Sequence, residues 1–533
     1  MKKLFAVSLS VLVLLSLQAQ RTIDILHYRY SIEVSDSTDT IYGFARISFT
    51  ALQTVTSIEL DLTTSSAANK GMKVTEVLAD SSIKSSLTFT HQKNKLRIEL
   101  KRALIKNDTF FISIYYKGIP ADGLIISKNK YGHRTFFSDN WPNRAHNWIP
   151  CVDDIADKAT VEFIVKAPSH YQVISNGVQI EESTFPDNKK ITHWKEEVPL
   201  PTKVMVIGVA DFAVNTVGDI NCVPVSSWVF PENRTEGFYD YAQAKDILSW
   251  YMDYIGPYAY KKLANVQSKT TFGGMENASA IFYYENSVSG KRQEEALLAH
   301  EIVHQWFGNH ATEKSFAHLW LSEGFATYLT HVYLETRYGT DSLNNRMQHD
   351  REEVIDFVKT SRRPVVDSNK NYMQLLNANS YQKGGWILHM LRRQLGDSVF
   401  KKSVRQYYAQ YAGKNAETKD LQKVFETVSG KNLESFFSQW LHTPANPDLK
   451  ITWKYLVKEK KLTVAVQQLQ TERVFTMPLE LEINFSGQKK KNIVLDINSA
   501  NQTFTFPFAE KPSSLKADPK TSLLFEGKVT EIN

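Results

Sequence analysis

The run His300-Glu301-Ile302-Val303-His304 constrains this chain more than anything else in it. On a helix, residues four apart share a face, so two imidazoles at this spacing can meet one metal ion. Glu301 lies next to the first of them, close to an ion it need not bind. A carboxylate there can act as general base toward an attacking water. The segment reads as a helix: Ala296, Leu297, Ala299, Val303 and Phe307 supply an apolar stripe, and Gly308 suits the stop. A catalytic zinc usually keeps three protein ligands and one open position, so a third ligand is required. After eighteen residues beyond His304 comes Glu323 as the nineteenth, in Trp320-Leu321-Ser322-Glu323-Gly324-Phe325-Ala326, within a second helical pattern from Leu319 to Tyr333. Two antiparallel helices joined by a short loop would set Glu323 opposite both histidines. One Zn²⁺ held by His300, His304 and Glu323 is the expected cofactor, two imidazoles and a carboxylate being a donor set that suits zinc.

At Gly273-Gly274-Met275-Glu276-Asn277 the chain resembles the zinc aminopeptidases related to aminopeptidase N, gluzincin metallopeptidases that carry G-[AG]-M-E-N shortly before HExxH. Here Glu276 precedes His300 by 24 residues. His304-Gln305-Trp306-Phe307-Gly308-Asn309 continues the zinc helix as in that family, and Tyr381-Gln382-Lys383-Gly384 matches its Y-x-K-G motif. The resemblance implies a substrate-binding role for Gly273, Gly274, Met275 and Glu276. Bare glycine backbone lets a peptide lie alongside as an added strand. The Glu276 carboxylate would take the free ammonium of the peptide in a charge-assisted hydrogen bond. Holding that ammonium limits how far the peptide can enter, so only its first peptide bond reaches the metal. Tyr381 is implied as the donor to the oxygen on which negative charge develops. The chain has 24 tyrosines, and only the Y-x-K-G context singles out Tyr381; Tyr372 is the second candidate.

Two departures from the family stand out. Its members usually place Gln or Glu before an R-x-x-x-P-C segment as a second amine anchor. Here the region runs Ser138-Asp139-Asn140-Trp141-Pro142-Asn143-Arg144-Ala145-His146-Asn147-Trp148-Ile149-Pro150-Cys151, and counting back lands on Trp141. Asp139 and Asn140 are the remaining candidates. Ser322 stands where the family often has Asn beside the third ligand, a change that would tune a ligand's surroundings. The implied activity is removal of amino-terminal residues from peptides with a free amino end. A thermolysin-type endopeptidase shares HExxH and a distant Glu, but Gly-Gly-Met-Glu-Asn discriminates against it. Epoxide hydrolysis, as in one bifunctional relative, uses basic residues of a helical end domain not found in this sequence. A non-catalytic zinc-containing binding protein would need neither Glu301 nor Tyr381.

The first residues, Met1-Lys2-Lys3, an apolar run from Leu4 to Leu17, then Gln18-Ala19-Gln20, read as a secretory leader with cleavage after Ala19 or Gln20. Without a Cys near that site, a bacterial lipid anchor is not expected. The expected destination is a bacterial periplasm or the exterior. No later segment approaches 18 uninterrupted apolar residues, so no membrane span is expected. The net charge of +6 is modest for 533 residues, and Lys489 to Lys491 reads as a solvated turn, not a nucleic-acid patch. Nothing in the sequence marks an oligomeric state. Cys151 and Cys222 either pair or stay free, and neither has ligand spacing to the other.

The expected fold class is multidomain α+β. After the leader at 1–20, residues 21–215 read as β-rich, with Ala45 to Thr50, Thr109 to Tyr116 and Thr160 to Val165 as strands and Asn176-Gly177 as a turn. The resemblance places an antiparallel β saddle domain there and a thermolysin-like mixed α/β catalytic domain at 216–445. In the latter, Thr418 is expected to cap a helix that Gly430 ends. Thr443 to Asp448 reads as a linker to a small C-terminal β-sandwich at 446–533, with strands at Leu449 to Tyr455, Leu462 to Val466 and Leu479 to Phe485. Large family members carry a long helical domain at this end. Its lack here leads to the expectation of a more open cleft that accepts longer peptides.

Overall fold

Alternation of apolar and polar residues builds the first part of the molecule. In Ile23–Glu33 the side chains of Tyr28, Tyr30 and Ile32 are buried; in Ile41–Ala51 so are Ala45, Ile47 and Phe49; in Ala159–Pro168, Val161, Phe163 and Val165. This period of two puts one face of each strand into a shared core. The computed structural model describes residues 21–79 and 85–532, so the expected leader lies outside the described residues. The three strands sit at the centre of an eight-stranded sheet, with Ile23–Glu33 between the other two. Its pairing with Ile41–Ala51 is antiparallel, but its pairing with Ala159–Pro168 is parallel, which departs from a purely antiparallel domain. A parallel partner needs a long crossover, and Ala159–Pro168 arrives only after eight further strands and the turn at Ala145–Asn147.

A five-stranded mixed sheet follows. Its order is Ala213–Ile220, Val223–Val229, Leu263–Ser268, Ala280–Tyr284 and Gly274–Met275, the last on the edge and antiparallel to its neighbour. Helices then take over. Trp320–Tyr338 is buried without a break from Trp320 to Leu334. A helix buried all round must find partners for every polar group it carries into the core. The helix Thr418–Ser429 is capped one residue earlier than the sequence suggests: Glu417 and Asp420 form a capping box. Thr418 is occupied elsewhere, its hydroxyl accepting from the Trp320 indole at 3.0 Å. Gly430 ends the helix in the left-handed region, at φ 68°.

Beyond residue 447 the strands form two sheets, one containing Asp448–Leu456 and Lys461–Gln468, the other Met477–Asn484 and Lys490–Ile497. Lys490 and Lys491 open a strand instead of forming a turn. The connection into these sheets, residues 443 to 448, is partly buried, and the Lys383 ammonium donates to the Ala445 carbonyl at 2.9 Å. Cys151 is buried, Cys222 is exposed, and both are free thiols. No helix of the described residues is long and apolar enough to cross a membrane.

The N-terminal β-rich domain is joined to the helical region by two lysines. Lys158 donates to the carbonyls of Asn309, His310 and Lys414, at 3.2, 2.7 and 3.2 Å. Lys203 reaches Glu313 at 2.7 Å with both side chains wholly buried. Burial works against the Lys203 charge, but Glu313 and then Glu276 hold its pKa above the usual lysine value. Removing one member of such a pair leaves a buried charge without a partner. Lys203→Met is expected to destabilise the fold by about 3–5 kcal/mol, and Lys203→Met with Glu313→Leu to recover most of that loss. Urea unfolding of the three proteins checks this, and equal midpoints for wild type and the single variant would refute it.

Candidate functional site

The helix Glu295–Val303 carries His300 and Glu301, and His304 is its C-cap, with φ −56° and ψ −24°. The helix is shorter than the apolar stripe suggests, because the chain turns before Phe307. Gly308 then takes φ +114°, and its N–H donates to Ala311 O at 2.9 Å. A Cβ on Gly308 would lie 2.3 Å from Ser322 Oγ, so only glycine fits. This turn places the Phe307 carbonyl 3.0 Å and Ser322 Oγ 3.1 Å from His304 Nδ1. With Nδ1–H donating to that carbonyl, Nε2 keeps its lone pair for a metal. The link to the next helix is no short loop. Residues 304–319 include the strand Thr312–Glu313, paired with Asn415–Ala416, and a turn at Phe316–His318.

Glu323 lies in the first turn of Trp320–Tyr338. Its Oε2 is 3.4 Å from His300 Nε2 and 3.2 Å from His304 Nε2, and the two nitrogens are 3.2 Å apart. A tetrahedral zinc with bonds of roughly 2.0–2.1 Å separates its ligand atoms by about 3.3 Å. The observed triangle has those edges, so the residues fit the ion. Their electrostatics agree. Burial alone would raise the Glu323 carboxyl, but His304 and His300 hold it well below the carboxylate range. Burial lowers His300. Burial also opposes charge on His304, yet Glu323, Glu276 and Glu301 together push it up to about 10. Three carboxylates converging on one point make a strong demand for positive charge.

Glu301 is buried, and burial, reinforced by Glu276 and Glu323, drives its carboxyl well above the usual range. The backbone of Gly274 lies directly against it: a Cβ there would come 2.3 Å from Glu301 Oε1. This glycine is therefore required by Glu301 itself. Gly274–Met275 is a sheet edge, paired on one side with Tyr283 and Phe282. Gly273 lines the same cleft, and Met275 is buried in its wall. Glu276 follows the edge strand and is buried, which raises its carboxyl against the pull of His304 and Lys203. Its Oε1 has no hydrogen-bond partner among the described residues. Its carbonyl is gripped by Gln305 Nε2 at 2.9 Å and Asn309 Nδ2 at 2.6 Å. Sequence reasoning gave Gln305 and Asn309 no task. Their place one and five residues after His304 was the available signal.

Tyr381 sits in a π-helical turn, Asn379–Lys383, directly before the helix Gly384–Leu395. Its ring stacks on His300, with centroids 6.1 Å apart and planes 12° from parallel. Burial, then Glu323, Glu276 and Glu301, keep its phenol protonated far above neutral pH. The approach depends on two glycines: a Cβ on Gly324 would meet the Gly384 backbone at 2.9 Å. Tyr372 instead packs on Phe316, ring centroids 4.4 Å apart, outside the cleft lining.

These groups line one cleft of about 500 Å³. One wall is aromatic, Trp141 standing edge-on to Phe272 and Phe316. The two residues before Trp141 are not among those lining the cleft. Asp139 Oδ1 binds the Arg144 guanidinium at 2.5 Å, and Oδ2 accepts from Thr270 and Thr271. Asn140 donates to the Thr202 and Met205 carbonyls and accepts from the Trp148 indole. Both polar ends make hydrogen bonds that hold the fold. From the glycine contact, Gly324→Ala is expected to cost about 1–3 kcal/mol through overpacking, measured as a lower urea midpoint. An unchanged midpoint would show that the two helices can part freely.

Residues 25–204 match the family model for the peptidase M1 N-terminal domain, and residues 239–440 match the peptidase family M1 domain. The chain is 28% identical to "probable aminopeptidase 2" of Sulfurisphaera tokodaii, over 70% of this chain and 50% of that protein. It is 28% identical to "aminopeptidase M1-C" of Oryza sativa over 58% of this chain and 37% of that protein. With "leucyl aminopeptidase" of Saccharolobus solfataricus the identity is 26%, over 69% of this chain and 48% of the relative. The chain spans about half the length, or less, of these curated relatives. The three metal-site residues and the Tyr381 turn all fall inside the second matched region. With both of the family's models matched in order, this chain belongs to peptidase family M1.

Proposed function

We propose that this protein is an exported zinc aminopeptidase that removes residues singly from the free amino end of peptides. One observation carries the reading: the buried Glu276 carboxylate, with Oε1 unpartnered, is fixed through its own carbonyl to the residues that follow the ligand His304. A buried anion without a partner is costly, and a substrate ammonium would relieve it. The names of the relatives agree with it. The proposal takes in the expected division at residues 215 and 445, a thermolysin-like catalytic domain and a C-terminal β-sandwich. Export rests on residues 1–20.

Zinc held by His300, His304 and Glu323 would lower the pKa of a water and polarise the scissile carbonyl. The protein's own groups supply the rest. The edge Gly273 to Met275 pairs with the peptide backbone, and Glu276 receives its ammonium. Glu301 takes the water proton and passes it to the departing amine. The Tyr381 hydroxyl donates to the oxygen that gains charge.

A peptide offered in free and amino-acetylated forms tests the reading by mass spectrometry of products. Stepwise loss of single residues from the free form alone is expected; internal cuts in both forms would instead make the protein an endopeptidase. Glu301→Gln is expected to lower kcat by roughly 10²–10⁴-fold with the metal content unchanged. For Tyr381→Phe the expected loss is about 10²–10³ in kcat with little change in KM. Near-normal turnover in either variant would take that residue out of the chemistry.

A further inference from the structure

The cleft continues past the metal-site triad, away from Glu276. Glu276 is tied to Gln305 and Asn309, beyond the His304 end of the ligand helix. His331 acts electrostatically on the other ligand, His300. Between them, Glu323, Thr327, Thr330 and His331 follow one another along Trp320–Tyr338, and all line the cleft. Their spacing puts them on one helix face, and the eight residues from Glu323 to His331 rise about 12 Å.

At that end the cleft meets the helix Thr340–Thr360, where Arg346 also lines it. Arg346 is half-buried and makes no hydrogen bond or ion pair among the described residues. Two carboxylates of its helix line the same cleft, Asp350 one turn on and Glu353 two. Each is held elsewhere. Asp350 Oδ2 is 2.8 Å from His331 Nε2, both side chains being buried. Glu353 Oε1 is 3.0 Å from His349 Nε2. The Nδ1 of His331 is buried and unpartnered too. A guanidinium is a planar fork suited to a carboxylate. Among the described residues that fork has no partner, while the acids on its helix are engaged by histidines.

We propose that Arg346, with the His331–Asp350 pair behind it, forms a subsite for a carboxylate of the peptide downstream of the scissile bond. The inference rests on the peptide orientation proposed above, with the amino end at Glu276. A span of about 12 Å is three to four residues of extended chain, less the reach of the Arg346 side chain. The carboxylate is then either the free end of a short peptide or an acidic side chain two or three residues past the bond.

Calorimetry on the zinc-loaded full chain carrying Glu301→Gln tests this without turnover. Tetra-alanine as acid and as amide probes the terminal carboxylate. Ala-Ala-Glu-Ala amide against Ala-Ala-Gln-Ala amide probes the side chain. In at least one pair the carboxylate form is expected to bind about tenfold to a hundredfold more tightly. Arg346→Gln should abolish that preference, and Arg346→Lys should keep part of it. Equal affinities within both pairs, no peptide binding at all, or a preference that survives Arg346→Gln would overturn the proposal. Amino-acetylated versions of the same pairs separate it from the aminopeptidase reading, since they dispense with Glu276. If wild type fails to trim free peptides, that reading falls while the acid–amide comparison still judges Arg346.

Discussion

The site depends on gathering Glu276, Glu301 and Glu323 out of water around two histidines. A buried carboxylate is tolerable only when positive charge or hydrogen bonds answer it. Here the answer comes from several directions. His304 and His300 hold Glu323 ionised. Lys203, brought in from the β-rich domain and neutralised chiefly by Glu313, also acts on Glu276. The surplus of negative charge that remains is what a divalent cation and a substrate ammonium would answer.

Close backbone approach is the second requirement, and glycine meets it three times. Gly274 gives Glu301 room against the edge strand, Gly308 gives Ser322 and His304 room at the end of the ligand helix, and Gly324 lets the Gly384 turn carry Tyr381 over His300. A side chain at any of these points would move a chemical group, not merely loosen packing. The motif glycines are therefore geometric parts of the site. The edge position of Gly274–Met275 adds a further consequence: the same bare backbone that accommodates Glu301 leaves an unpaired strand edge facing the cleft.

The joint between the β-rich domain and the helical region shares in this economy of charge. Lys158 satisfies three carbonyls in the loop after the ligand helix and the strand beside it. Lys203 lies on a short turn, Thr202–Val204, whose neighbours Thr202 and Met205 receive the Asn140 amide. Asn140 and Asp139 both bond into this framework.

The sequence by itself picked out the residues that gather in the cleft. HExxH, a Glu after eighteen intervening residues, Gly-Gly-Met-Glu-Asn and Tyr-x-Lys-Gly name the groups, because spacing on a helix is a local property that four residues suffice to specify. It also placed three strands of the first domain, around Ala45 to Thr50, Thr109 to Tyr116 and Thr160 to Val165, since alternation and β-branched or aromatic content are equally local signals. Only the tertiary structure decided what depends on contacts between distant segments. The ligand helix ends at Val303 because Gly308 must turn beneath Ser322. Thr418 is drawn from capping to the Trp320 indole. The parallel pairing of Ile23–Glu33 with Ala159–Pro168 joins segments far apart in the chain. Arg346 carries no motif, and its free guanidinium is visible only once His331 has claimed Asp350 from the neighbouring helix. Local periodicity cannot report such facts, because they depend on which polar group reaches a partner first when distant segments meet.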